Sequence, residues 1–278
     1  MSDFLDIDGA MGEGGGQVLR SSLSLSVITQ RPIRIVNIRA NRDRPGLRPQ
    51  HLVAVRSAAR ISNGILRGDR VGSTEIRFEP RGVVPGDYLF DIGTAGATAL
   101  VLQTLLPPLA LAEGPSTITV HGGTHVPWSP CFHYLDWHWR PLLKHIGIDF
   151  DLELQMAGFY PHGGGQVAAR IAGGSRIRGL HLTERGRLVR IHGLSAVADL
   201  PQEIAERQRI VAVVLEFDWY ALFLNEHPMA DSQQWCTRRR PVGANDAHGH
   251  GSSAGSSMPA LTRASSTGRA VSALHRRN

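Results

Sequence analysis

The chain has 278 residues, 42% of them apolar, and a formal net charge of +6 from 30 basic and 24 acidic groups. Seven of the basic and one of the acidic groups lie in residues 236–278, which leaves 23 of each sign in residues 1–235 and excludes a generally basic nucleic-acid-binding body. No apolar run reaches 18 residues and no basic–apolar leader opens the chain, so a soluble cytoplasmic protein with no membrane partner is expected, and the distant pair Cys131 and Cys236 makes no disulfide framework.

The first distinctive stretch is Gly12-Glu13-Gly14-Gly15-Gly16-Gln17. Its glycines allow positive φ and close approach of a ligand. Leu19, Leu23 and Val27 follow at helical spacing, so the loop opens a helix whose free N–H groups and dipole suit an anion. Arg20 adds a cation in the first turn, where the dipole alone disfavours one. Glu13 is either a metal ligand or a hydrogen-bond acceptor, and the plain alternative is a surface loop. The stretch lacks the Lys of a P-loop and the spacing of a dinucleotide fingerprint. GGGQV returns at Gly163–Val167, which points to a repeated supersecondary unit.

Residues 32–39 have strand character. Arg39, Arg42, Arg44 and Arg48 then occupy the strand end and a loop leading to a second helix, with Pro49 at its first position and Asn63-Gly64 at its end. These arginines either cradle phosphates beside the glycine loop or form a solvated face. His51 near a helix start has a structural reading as well as a functional one. Strands are expected at 75–79 and 87–92. A second small-residue loop, Gly93–Ala97, enters a helix apolar on nearly all sides and hence buried, with Gln103 inside it needing polar partners. Pro107-Pro108 kinks or ends that helix. A strand at 117–120, a helix at 131–146, and strands at 148–154, 167–171 and 187–192 complete the reading. His121, His125, His133 and His138 share no metal-ligand spacing, so no zinc site is expected. The order of elements gives an α/β (α+β) fold made of repeated β-α-β-α-β-β units.

Six motifs are specific enough to suggest a family. GEGGGQVLRSSLSLS (12–26), IRANRDRPGLRPQH (38–51), GTAGATALVLQTLLP (93–107), GGTHVPWSP (122–130), GFYPHGGGQV (158–167) and LTERG (182–186) together resemble RNA 3′-terminal phosphate cyclase of the catalytic, bacterial-type branch. The resemblance implies a large repeat domain over 1–184, part of a smaller inserted α/β domain over 185–235, and a basic Ser/Gly/Arg-rich tail over 236–278, expected to be disordered. It implies ATP-dependent chemistry with Mg2+ or Mn2+ on an RNA bearing a 3′-terminal phosphate. A histidine attacks the α-phosphate of ATP and releases pyrophosphate. AMP passes to the RNA 3′-phosphate, and the adjacent 2′-hydroxyl displaces AMP to leave a 2′,3′-cyclic phosphate. Carried over by position, Glu13 holds the metal and triphosphate, Arg20, Arg39, Arg42, Gln50 and His51 line the phosphate pocket, and Gln103 contacts the adenosine.

The family's nucleophilic histidine lies in a segment that this chain is not expected to reach. After about Val211 the composition changes, as a frameshifted or truncated gene would give. His248, His250 and His275 in the tail are not expected to replace that histidine, because a nucleophile must be held in line with its target. The alternatives to an active cyclase are a non-catalytic RNA- or phosphate-binding relative and a non-functional fragment. The sequence carries no signal of oligomeric state.

Overall fold

A computed structural model describes residues 3–187, 192–197, 200–214 and 262–265. The chain divides into two compact units, Met1–His181 and Leu182–Asn278. In the first unit the elements run β1 (Leu5–Asp8), α1 (Gly16–Thr29), β2 (Ile33–Val36), α2 (Pro49–Ile61), β3 (Ile65–Arg67) and β4 (Ile76–Glu79). They continue as β5 (Asp87–Asp91), α3 (Thr98–Leu111), β6 (Ser116–Gly122), α4 (Phe132–Tyr134), a π-helical turn (Leu135–Trp139), α5 (Arg140–His145), β7 (Phe150–Met156) and β8 (Gly165–Ile171).

The two halves of this unit share one topology. The first sheet has the order β1-β2-β4-β3 and the second β5-β6-β8-β7. In each, the first pair is parallel (Leu5 opposite Ile33, Asp87 opposite Thr117) and the other two pairs are antiparallel. A parallel pair needs a crossover, and α1 and α3 supply it. This is the expected β-α-β-α-β-β repeat. The GGGQV identity nevertheless does not mark equivalent places. Gly14–Val18 opens helix α1, whereas Gly165–Val167 begins strand β8, where Val167 pairs with Val120. The positional counterpart of the first glycine loop is Gly93–Ala97, between β5 and α3.

The core follows the apolar spacing. Leu19, Leu23 and Val27 of α1, and Ala54, Val55, Ala58 and Ile61 of α2, are fully buried, as are Val101, Leu102, Leu105, Leu106 and Leu109 of α3. Helix α3 packs on α1, α2, β6 and β8, which accounts for its apolar surface. Pro107 and Pro108 do not end it; the helix continues to Leu111, with Leu109 and Ala110 buried beyond them. Burial of that last turn outweighs the hydrogen bonds the prolines cannot donate. In the expected helix 131–146, the π turn precedes Pro141, whose ring crowds the carbonyl four residues back and widens the coil there.

The described part of the second unit comprises β9 (His192–Ser195), α6 (Gln202–Val214) and β10 (Thr262–Ser265), with β9 and β10 antiparallel. The strand expected at 187–192 lies mostly outside the described residues, as does the tail 236–278 apart from Thr262–Ser265, including His248, His250 and His275. Among the described residues, no helix is long and apolar enough to cross a membrane.

Candidate anion site at the first glycine loop

The glycine loop bends back on itself through positive φ at Gly12 (62°) and Gly14 (58°) and delivers Gly15 as the N-cap of α1. No side chain caps that end, so its first N–H groups stay available. Against it lies the start of α2. A Cβ on Gly16 would run into Nε2 of His51 and would stand 2.8 Å from Nη1 of Arg20; one on Gly15 would stand 3.0 Å from Nη2 of Arg42. At Gly16 only glycine lets the backbone come this close to the buried ring of His51, whereas the guanidinium ends of Arg20 and Arg42 could shift.

The chemistry of the cleft is one-sided. His51 is buried, and its Nδ1 accepts the backbone N–H of Arg48 at 3.3 Å. In the neutral ring the proton therefore sits on Nε2, which faces Gly16 as a donor. Burial, together with the charges of Arg39, Arg20 and Arg48, pushes His51 down to about 3, so it is neutral at physiological pH. Arg20 is 9% exposed; its Nη2 donates to Gln17 Oε1 at 2.9 Å, while its buried Nε has no partner among the described residues. Desolvation pushes it down to about 10, which leaves it charged. Donors converge here from a helix end, an imidazole and a guanidinium. An acceptor-rich anion satisfies them together.

The other expected site residues divide. Arg39 adopts φ 56° and spends Nη1 on the carbonyls of Arg44 (2.7 Å) and Gly46 (3.0 Å), so it braces the arginine loop beside His51. Burial and the charges of Arg48 and Arg42 lower its pKa. Glu13 is exposed and pairs with Arg42 at 3.1 Å. Gln50 turns away from the cleft: its Oε1 accepts the N–H of Ala97 at 3.2 Å and ties α2 to the second glycine loop. Gln103, on α3, is half-buried, and its amide makes no hydrogen bond among the described residues. Solvent can meet the polar need expected of a fully buried position. Arg48, weighed only as one of a charged run, emerges as the N-cap of α2 and a partner of His51.

Two of the four histidines considered in the sequence, His125 and His133, meet in space. Nε2 of His125 lies 3.0 Å from Nδ1 of His133, and Cys131 joins them, so that one donor atom from each of the three falls within 4.8 Å of the others. Burial pushes both rings down to about 4, with His133 adding to the shift of His125. The Cys131-x-His133 spacing was the available signal. Its partner His125 is set by the turn between, which spacing alone does not reveal.

Comparison with known proteins agrees with the motifs. The family described as RNA 3′-terminal phosphate cyclase matches residues 11–262, further along the chain than the motifs reach. Relatives carrying that same name include one from Trichormus variabilis, 52% identical over 211 residues (73% of this chain, 61% of the relative), and one from Staphylothermus marinus, 46% identical over 215 residues (77% and 60%). Another, from Hyperthermus butylicus, is 40% identical over 258 residues (87% and 72%). The chain spans about three fifths of the length of the first two relatives. With the two matching repeat units, the glycine-loop anion cleft and a family match over most of its length, the chain belongs to the RNA 3′-terminal phosphate cyclase family.

Proposed function

We propose that this chain binds the 3′-phosphate end of an RNA together with ATP and a divalent cation, in the cytoplasm, and serves the ATP-dependent conversion of that 3′-phosphate to a 2′,3′-cyclic phosphate. The observation that carries the reading is the convergence of Arg20, His51 and the uncapped start of α1 on one cleft, where the buried Nε of Arg20 has no partner among the described residues. Arg39 and Arg42 frame that pocket, Arg42 through the exposed pair with Glu13, whereas Gln50 acts at one remove by tying α2 to the second glycine loop. Among the described residues Glu13 belongs to no group of three or more potential metal ligands, so Mg2+ or Mn2+ there would rest largely on the phosphates of ATP, which suits Mg2+. Gln103 is assigned to the adenosine.

One observation favours a second reading, a phosphate-binding relative without its own nucleophile. His51 cannot attack ATP as it stands, because Nδ1 is occupied by the Arg48 N–H and Nε2 carries the proton. The test is to incubate the chain with α-labelled ATP, Mg2+ and an oligoribonucleotide bearing a 3′-phosphate. The cyclase reading expects label on the protein and cyclic phosphate on the RNA. Preferential binding of the 3′-phosphate over the 3′-hydroxyl end, without label, selects the second reading. Equal binding of both ends, unaffected by Arg20→Ala, overturns both.

A further inference from the structure

Outside the anion cleft, a further group of side chains among the described residues has the chemistry of a site. His125 follows the Gly122-Gly123-Thr124 turn at the end of β6, Cys131 is the N-cap of α4, and His133 lies in its only turn. We propose that His125, Cys131 and His133 form a binding site for a transition-metal ion, zinc by its donor set, held by two imidazoles and one thiolate with a fourth position left to water.

Three arguments support this assignment. The first is distance. Zinc–nitrogen bonds of ~2.0–2.1 Å and tetrahedral angles put two ligating nitrogens about 3.3 Å apart, and Nε2 of His125 and Nδ1 of His133 already face each other at 3.0 Å. With all three donor atoms within 4.8 Å, closing on an ion needs side-chain adjustment rather than a rebuilt backbone.

The second is the surrounding shell. Nδ1 of His125 lies 2.8 Å from Oγ1 of Thr124, a residue only 1% exposed. That oxygen also accepts the Gly158 N–H at 2.9 Å and lies 3.3 Å from the Gly158 carbonyl, to which it can donate. With its own proton so placed, Thr124 takes the Nδ1–H of His125 and leaves Nε2 with a lone pair, which is how an outer partner fixes a metal-binding tautomer. Phe159 stacks on His125 with centroids 5.0 Å apart, and Trp137 meets His133 edge-on at 5.0 Å.

The third is the backbone. The Thr124 and His125 N–H groups both donate to Gly158 O (2.8 and 3.0 Å), and the Phe132 N–H donates to Thr124 O (3.0 Å). The two ends of the ligand loop are thus pinned side by side without the ion. Between them sits Trp128, fully exposed at φ 61°. On binding, the Cys131 thiol proton passes to solvent, and the ring proton between the histidines moves to the outer nitrogen of His133. An imidazole–thiolate donor set suits zinc better than magnesium or calcium.

Cobalt(II) titration of the intact metal-free chain tests this. One equivalent should give thiolate-to-cobalt charge transfer in the near ultraviolet and tetrahedral visible bands, and zinc should abolish both. The near-isosteric Cys131→Ser should remove the charge-transfer band, and His133→Asn should weaken cobalt binding by at least about tenfold. Circular dichroism establishes that each variant is folded. Cys236→Ser should leave the spectrum unchanged. Absence of cobalt bands in the intact chain overturns the proposal, and so do bands that follow Cys236 instead of Cys131. If Cys131→Ser does not fold, the His133→Asn spectrum decides alone. None of these readouts depends on RNA or ATP.

Discussion

Gly16 sets the size of the anion cleft, because its missing side chain is the space between His51 and Arg20. Gly16→Ala would force both of them outward. Overpacking of this kind costs about 1–3 kcal/mol, and urea unfolding should show it as a lowered midpoint. Binding of a 3′-phosphorylated oligoribonucleotide should weaken by more than the 3′-hydroxyl control. His51 gives a second outcome at the same scale. Its folded pKa of about 3 lies below the ordinary 6.5, so between those values the unfolded chain holds a proton that the folded chain refuses. Stability is therefore complete above pH 6.5 and declines as pH falls toward 3. His51→Asn should show a shallower decline than the native chain when unfolding midpoints are compared at pH 7.5, 5.5 and 4.5. A slope unchanged by the substitution would assign the acid sensitivity to other groups.

At the scale of the element, α3 shows how tertiary burial overrides local signals. Two consecutive prolines are the strongest stop a helix can carry, yet α3 continues to Leu111 because Leu109 and Ala110 are core residues. Pro107→Ala restores an N–H four residues after Gln103 and lengthens the hydrogen-bonded run. The gain, offset by a more flexible unfolded chain, should be about 1–2 kcal/mol, read as a raised thermal midpoint. The same competition explains which elements were legible. Long periodic segments such as α1, α2 and α3 announce themselves through buried positions three and four apart. β1 and β3, of four and three residues, are edge strands of their sheet and carry too little alternation to be recognised. The pentapeptide GGGQV starts a helix in one place and a strand in the other, so the correct inference of a repeat came from a coincidence of sequence. The true correspondence, Gly12–Gly16 with Gly93–Ala97, is one of position between strand and helix rather than of residue identity. The candidate cleft was legible because its residues are close in sequence on either side of β2. The histidine–cysteine group was not, because a backbone turn around Thr124 and Gly158 brings it together.

Across the whole molecule, the even charge of residues 1–235 and the excess of arginine after them divide the proposed RNA binding into two kinds of contact. A buried cleft would read a terminal phosphate through directed donors and be weakly screened, whereas an arginine-rich segment would respond to any phosphate backbone and lose its effect with salt. Affinity for a 3′-hydroxyl oligoribonucleotide should therefore fall steeply with salt. The preference for a 3′-phosphate should change much less over the same range. Replacing Arg238, Arg239 and Arg240 by Gln should flatten the logarithmic salt slope by about 2, at ~0.7 per contact on a single strand, and preserve the preference. Arg20→Ala should do the reverse, abolishing the preference while changing the slope by no more than about one contact. Fluorescence anisotropy between 50 and 300 mM salt, on roughly a decade scale of affinity, measures all four quantities. If the arginine triple variant lost the preference as well, the division of labour between cleft and tail would be wrong. Recognition of the RNA end would then depend on the chain's basic end as much as on the glycine loop.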